Sequence, residues 1–93
     1  MNISPAELES LIVEHPAVAE VAVVGMPDDT LGERTRAVIV VNDGHSPTLH
    51  EINAFLQERH IAKYKLPESL AIVDALPRNP VGKVLKRELR TPA

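Results

Sequence analysis

Cysteine and tryptophan are both missing from this 93-residue chain, which has one phenylalanine and one tyrosine. The lack of cysteine excludes a disulfide scaffold and a cysteine-based metal site, and it agrees with a reducing, cytoplasmic location. With so few aromatic residues, any core must be built from Val, Leu, Ile and Ala. No apolar run approaches the ~20 residues of a membrane span, and the N-terminus has no signal-peptide pattern. The length fits one small domain, residues 1–93.

Acidic and basic residues are distributed unevenly along the chain, whose formal net charge is -3. Residues 1–62 contain ten acidic and three basic residues, or -7, whereas residues 63–93 contain seven basic and three acidic residues, or +4. This asymmetry predicts either a local cationic surface on an acidic domain or simply a solvated charged face. The negative total and the lack of aromatic residues for base stacking argue against nucleic-acid binding.

Helix starts are indicated at Ser4 and Thr48, each followed three residues later by a glutamate in a capping box. The first helix is predicted to continue to His15, which is interpreted as a complement to the helix dipole or as a histidine with a structural role. The second is predicted to end near Arg59. Because the first helix begins almost at residue 1, we expect the chain to be the C-terminal part of a longer protein.

Runs rich in valine and isoleucine predict strands between and after these helices. Their near-continuous apolar character is typical of strands covered on both faces. A loop, "GMPDDTLGER", is predicted between the first two strands because it contains Gly, Pro and Asp. The predicted strands cover residues 18–24, 35–41 and 70–73, and a final helix covers residues 83–90. The expected fold is α+β, a small layered sandwich of about three helices packed on a three-stranded sheet.

The segment "PRNPVGKVLKREL" places Lys83 at the predicted start of the last helix. A cation there opposes the helix dipole, at a cost of ~0.3–1 kcal/mol. The segment is no nucleotide-hydrolysing P-loop, because Pro77 replaces the first glycine and Val84 the final Ser or Thr. Gly82 allows unusual backbone dihedrals, and free N–H groups at a helix start bind anions. We therefore interpret Lys83 as part of an anion site, or else as an ordinary surface lysine.

Three segments together resemble one family: "NISPAELESLIVEHPAVAEVAVVGMPDDTLGE", "AKYKLPESL" and "LPRNPVGKVLKREL". They are similar to the C-terminal domain of the adenylate-forming enzymes. That superfamily includes acyl- and aryl-CoA synthetases, the adenylation domains of nonribosomal peptide synthetases, and firefly luciferase. The segment "KYKLPE" looks more like that of a CoA ligase than that of a peptide-synthetase domain. The resemblance covers nearly the whole chain, and it implies that the large N-terminal domain and the hinge lie outside it.

The resemblance implies a two-step reaction in a complete ligase. A carboxylic acid attacks ATP, accompanied by Mg²⁺, to form acyl-AMP; the small domain then rotates, and CoA displaces AMP. It assigns Lys83 to the first step, in contact with carboxylate and phosphate oxygens supplied with the large domain. The domain alone is expected to be inactive. In related ligases this lysine is acetylated, which implies an acetyltransferase and a deacetylase as partners.

For the second step, the resemblance places Lys63, Tyr64 and Lys65 near CoA. Gly82 is also predicted to be a cofactor-binding residue. It assigns no dedicated metal site, although a histidine at the position of His15 helps to bind Mg²⁺ in some relatives. Two alternatives stay open. The chain could be a stand-alone module that docks on an adenylating partner, or part of an adenylation domain that loads a carrier protein. The carboxylic acid is not readable from this segment.

Overall fold

The computed structural model describes residues 4–28 and 32–90. In this part of the chain, three helices pack with a three-stranded mixed sheet, which confirms the predicted α+β fold. None of the described helices is long and apolar enough to cross a membrane.

Helix α1 spans Pro5–Ile12 and begins at the predicted cap, where Ser4 Oγ accepts the Glu7 N–H at 3.3 Å. The proline occupies the start of the helix, where no backbone donor is needed. The predicted extension to His15 is wrong, because the helix ends at Ile12. The His15 N–H instead donates to the Ile12 carbonyl at 2.9 Å, a three-residue spacing that is tighter than an α-helical turn.

Strands β1 (Val18–Asp28) and β2 (Gly32–Val41) pair in antiparallel fashion, with Asp28 opposite Gly32 at the far end. Strand β1 ends four residues after its predicted end, and β2 begins three residues before its predicted start, so most of the predicted loop between them is sheet. Pairing between the strands outweighs the turn tendency of Pro27. A proline is tolerated there because β1 lies at the edge of the sheet.

Strand β3 (Ser69–Ile72) lies parallel to β2 and begins one residue before its predicted start. The sheet order is β1-β2-β3. Helix α2 (Leu49–Glu58) makes the crossover that a parallel pair requires. Its predicted cap is confirmed, since Thr48 Oγ1 accepts the Glu51 N–H at 3.1 Å.

Apolar side chains cover both faces of the sheet, because successive residues of a strand point to opposite sides. On the first face, α1 and α2 pack against the strands, and the buried first-face cluster comprises Leu8, Ile12, Val18, Val23, Ala37, Ile39, Ile52 and Leu56. On the second face, the buried second-face cluster comprises Ala22, Val24, Met26, Val38 and Leu76. Burial on both sides explains the continuous apolar runs that the sequence shows in these strands.

The tail, residues 77–90, lies over the second face, where Val84 packs against the second-face cluster. Its helix α3 is a single short turn, Lys86–Leu89. The predicted helix start at Lys83 is therefore wrong. Val84 instead forms an antiparallel bridge with Arg78, and a backbone paired in this way cannot also belong to a helix.

Candidate active site

The Gly-Lys pair of the tail lies in a hairpin, residues 77–85, which we call the lysine hairpin. At its base, the Leu85 N–H donates to the Pro77 carbonyl at 2.8 Å. At its tip, the Gly82 N–H donates to the Asn79 carbonyl at 2.9 Å. A three-residue loop of this kind commonly ends in a glycine with left-handed backbone, and Gly82 has φ 89°.

Asn79 holds the backbone of Lys83 by two hydrogen bonds. The Asn79 N–H donates to the Lys83 carbonyl at 2.9 Å. The Asn79 Oδ1 accepts the Lys83 N–H at 2.9 Å and the Val81 N–H at 3.1 Å. Asparagine before proline is a common turn signal because its side chain can bind nearby backbone donors in this way. The peptide groups around Lys83 are therefore fixed.

The position of Lys83 corrects the expectation of a cation opposing a helix dipole. Helix α3 begins three residues later, at Lys86. The N–H groups of Gly82 and Lys83 are both engaged within the hairpin. The predicted anion site made of free helix-start N–H groups is therefore wrong for these two amides, and any anion binding here depends on the Lys83 side chain.

The Lys83 side chain is exposed. Within residues 4–28 and 32–90, its ammonium group makes no hydrogen bond or ion pair. Its backbone is held, and no residue in the described part of the chain neutralises its charge. An ammonium in this state can bind an anion brought by a ligand or by another domain.

Several other basic residues of the tail bind groups on α1 and β1. Nitrogen–oxygen distances of 2.6–2.8 Å occur in three contacts: Arg78 Nη2 with Glu20 Oε1, Lys86 Nζ with Glu9 Oε2, and Arg90 Nε with the Gly25 carbonyl. The acidic first part of the chain thus supplies partners for its basic end. Part of the basic segment is thus used in contacts within the domain, which neither a cationic surface nor a solvated charged face predicted.

The second group of predicted site residues forms a 3₁₀ turn, Lys63–Lys65. Tyr64 is 57% exposed and Lys63 is also exposed. Lys65 points elsewhere, because its Nζ lies 3.8 Å from Glu7 Oε1. Lys63 lines an open groove of about 530 Å³ between this turn and α2, together with His50, Asn53, Gln57, Leu66 and Glu68.

The structure does not bring Lys83 together with the predicted CoA-binding residues of the Lys63–Lys65 turn. Leu66, next to the 3₁₀ turn, packs against the first-face cluster. Val84, next to Lys83, packs against the second-face cluster. Lys83 and the Lys63–Lys65 turn therefore belong to different surfaces of the domain.

His15 lies beyond the end of α1 and has a structural role, which is one of its two predicted interpretations. Its Nδ1 accepts the Ala17 N–H at 3.0 Å, and its ring lies edge-on to Phe55 with 4.8 Å between centroids. These contacts link the turn after α1 to α2. Among the described residues, no group of three or more His, Cys, Asp or Glu side chains could hold a metal ion.

Sequence reasoning missed Asn79, Arg78 and Glu20 as parts of the site. The Asn-Pro pair was a signal for Asn79, since it commonly initiates a turn. No local signal identifies Glu20, because it lies 58 residues from Arg78 in the chain.

Comparison with known proteins places this geometry among similar domains. A family model described as AMP-binding enzyme C-terminal domain matches residues 7–83. The chain is 44% identical over 89 residues to the fatty acid–[acyl-carrier-protein] ligase ScoC of Streptomyces coeruleorubidus. It is 46% identical over 89 residues to the long-chain-fatty-acid–CoA ligase FadD13 of Mycobacterium tuberculosis. Each alignment covers 96% of this chain and 17% of the relative, so the chain spans less than a fifth of their length.

Solved structures agree with the sequence relatives. A fatty acyl CoA synthetase of Mycobacterium tuberculosis superimposes with a TM-score of 0.87 and 42% identity, over 97% of this chain and 18% of that structure. The apo structure of MbtA from Mycobacterium smegmatis superimposes with a TM-score of 0.92 and 37% identity, over 97% of this chain and 17% of that structure. The fold and the order of its elements are therefore shared with much larger proteins.

Proposed function

The chain belongs to the AMP-binding enzyme C-terminal domain family, the C-terminal domains of AMP-forming acid ligases, and we propose that Lys83 is its catalytic residue. The observation that carries the proposal is the contrast between the fixed backbone of Lys83 and its side chain, which is unpaired among the described residues. Its backbone is held by Asn79, whereas its exposed ammonium group has no partner in the described part of the domain. A lysine held in this way can enter a site completed by another domain.

The reaction step proposed for Lys83 is formation of the acyl adenylate. A carboxylate oxygen attacks the α-phosphorus of ATP, a new P–O bond forms, and the bond to pyrophosphate breaks. Both reactants are anions, and negative charge on the phosphate oxygens must be stabilised as they approach. The Lys83 ammonium group, placed between carboxylate and phosphate oxygens, offsets this repulsion most strongly in the transition state.

The remaining parts of the reaction are assigned to a large N-terminal domain. We propose that the chain is the single, mobile C-terminal domain of such a ligase. This agrees with its coverage of 17% of the relatives' length. ATP with its Mg²⁺ and the carboxylic acid would bind mainly in that large domain. Without that domain, the proposed sites for ATP and the acid would be missing, and the chain alone is expected to be inactive.

We propose CoA as the acceptor for the second step, with Lys63 and Tyr64 as the main candidates for contact with it. Support comes from the exposure of both residues and from the open groove beside Lys63. Lys65 is a weaker candidate because it lies near Glu7. The location of this turn and of Lys83 on different surfaces suits a domain that rotates between two steps. Gly82, the other predicted cofactor-binding residue, lies in the lysine hairpin, and we propose that it acts by shaping the hairpin backbone.

A carrier protein is the second candidate acceptor, because one relative is named as an acyl-carrier-protein ligase and another as a CoA ligase. The acceptor can be tested by supplying preformed acyl-AMP to the complete ligase together with either CoA or a phosphopantetheinylated carrier protein. Thioester formation on CoA supports the first candidate, and transfer only to the carrier supports the second.

Reversible acetylation of Lys83 is the regulation that we propose, by an acetyltransferase and a deacetylase. The exposed Lys83 amine is accessible, and acetylation would remove the charge that the first step requires. Lys86 differs, because its Nζ lies 2.8 Å from Glu9 Oε2.

The role of Lys83 is tested by Lys83→Ala in the complete ligase that carries this domain. Adenylate formation, measured by pyrophosphate exchange, is expected to fall on the order of 10²–10³-fold, as for the loss of one transition-state donor. Thioester formation from preformed acyl-AMP should change little. Equal losses in both half-reactions, or normal exchange, would contradict the proposal. Lys63→Ala is the control for exchange, since this lysine lies on the other surface.

A further inference from the structure

The peptide group between Gly82 and Lys83 is held from both sides. Its N–H, which belongs to Lys83, donates to Asn79 Oδ1 at 2.9 Å. Its carbonyl, which belongs to Gly82, accepts a hydrogen bond from Arg78 Nη1 at 2.8 Å. Arg78 therefore reaches across the lysine hairpin to the peptide unit that directly precedes Lys83.

The other end of the Arg78 guanidinium group connects the hairpin to the sheet. Arg78 Nη2 lies 2.6 Å from Oε1 of Glu20, a residue of β1. A guanidinium group is planar, and its donors have fixed relative directions. Its two terminal nitrogens thus link the Gly82 carbonyl to a strand of the core.

Stability alone is a poor explanation for this link. The Arg78 and Glu20 side chains are 45% and 44% exposed, and ion pairs with such exposure contribute little to folding. The hairpin also has its own backbone hydrogen bonds at base and tip. What Arg78 adds is a fixed relation between the hairpin and β1. A reacting group needs this kind of fixed relation, since small displacements strongly reduce rates.

We propose that Arg78 is a positioning residue for Lys83, and that Glu20 acts through Arg78 by fixing the direction of its guanidinium group. The proposal rests on the catalytic role proposed above for Lys83. It adds that the rate of adenylate formation depends on two side chains that do not touch the reacting atoms. The Glu20–Arg78 contact is the specific structural cause.

The test compares single and double variants in the complete ligase. Arg78→Ala and Glu20→Gln are each expected to lower kcat for adenylate formation, by on the order of 10-fold for Arg78→Ala and less for Glu20→Gln. KM for ATP and for the acid, and thioester formation from preformed acyl-AMP, should remain near those of the parent. Arg78→Lys keeps the charge but has one terminal nitrogen in place of two, so it cannot hold both the Gly82 carbonyl and Glu20 in the same way. Its kcat should lie between those of Arg78→Ala and the parent.

The double variant Arg78→Ala/Glu20→Gln shows whether Glu20 acts through Arg78 or affects the rate independently of it. If Glu20 acts through Arg78, adding Glu20→Gln to Arg78→Ala should cause no further loss. Arg34→Ala is the matched control, because it removes a similarly exposed ion pair, 3.2 Å from Glu68, and should leave kcat unchanged. Hydrogen exchange of the Lys83 amide in the complete ligase should become faster in Arg78→Ala and unchanged in Arg34→Ala.

Three results would overturn the inference. The first is a kcat near that of the parent in both Arg78→Ala and Glu20→Gln. The second is a loss expressed mainly in KM, which indicates direct substrate binding by Arg78. The third is a Glu20→Gln effect of equal size with and without Arg78. If Lys83→Ala itself leaves adenylate formation intact, the proposed function fails instead, whatever the Arg78 variants do. Because Glu20→Gln preserves side-chain shape, it remains informative even where Arg78→Ala lowers stability.

Discussion

Asn79 binds the Lys83 backbone through both its own N–H and its side-chain oxygen, at 2.9 Å in each case. Asn79 therefore restrains the Lys83 backbone on both sides of its Cα without contacting its ammonium group. This arrangement allows the geometry of the lysine hairpin and the charge of its lysine to be varied separately.

Asn79→Ala removes the side-chain acceptor of two N–H groups, those of Val81 and Lys83. We expect a loss of stability of about 1 kcal/mol and a loss of adenylate formation on the order of 10-fold to 10²-fold, because the lysine is displaced. Pyrophosphate exchange and thermal unfolding of the complete ligase measure the two effects. Asn42→Ala is the control, since the Asn42 side chain also bonds backbone, at the Pro16 carbonyl, away from the hairpin. Equal effects of both variants on exchange would contradict the prediction.

Gly82→Ala tests the positive φ of the hairpin, 89°. Apart from Gly82 and its two chain neighbours, no heavy atom lies within 4 Å of the added Cβ. The cost therefore arises from the backbone and is expected to be about 1–2 kcal/mol. Gly44 offers a matched control, with φ 83° and the same open surroundings. Gly44→Ala should lower stability to a similar extent without reducing adenylate formation, whereas Gly82→Ala should reduce both. A pair of variants with the same activity would show that the Gly82 backbone does not matter to the reaction.

Acetylation of Lys83 should abolish adenylate formation and leave the fold intact, because it removes the positive charge and changes no core contact. Mass spectrometry after incubation of the complete ligase with an acetyl donor and acetyltransferase locates the modified lysines. A deacetylase should then restore activity. Acetylation of the exposed Lys63 serves as the control and should leave pyrophosphate exchange unchanged. Normal exchange by enzyme fully acetylated at Lys83, or modification of Lys86 in its place, would refute this regulation.

The isolated 93-residue chain is expected to fold and to catalyse neither half-reaction. Its two apolar clusters and its capped helices support a cooperative thermal transition, although the stability of so small a domain is limited. Ile39→Ala, at a fully buried position, should remove about 2–5 kcal/mol and lower the midpoint strongly. Circular dichroism follows the unfolding. Pyrophosphate exchange by the chain alone, with any carboxylic acid, would overturn the assignment of the substrate sites to another domain.

Local features of the fold were predictable because their causes lie within a few residues. Ser4 and Thr48 each cap a helix by accepting an N–H three residues ahead, and the sequence shows both partners. The apolar runs indicated strands buried on two sides. The family resemblance points to Lys83 because its motif is also contiguous in the chain, and the catalytic role of this lysine is our proposal.

Other features depend on residues that meet only after folding. Strand β1 continues through Pro27 because β2 pairs with it, although the segment alone favours a turn. Lys83 lies in a hairpin rather than a helix because Val84 pairs with Arg78 and packs against the second-face cluster. The sequence by itself thus determined the helix caps and the two-sided strands. The tertiary structure alone decided how the lysine hairpin is linked to the sheet, because Glu20 of β1 lies 58 residues before Arg78 and no local propensity encodes their contact.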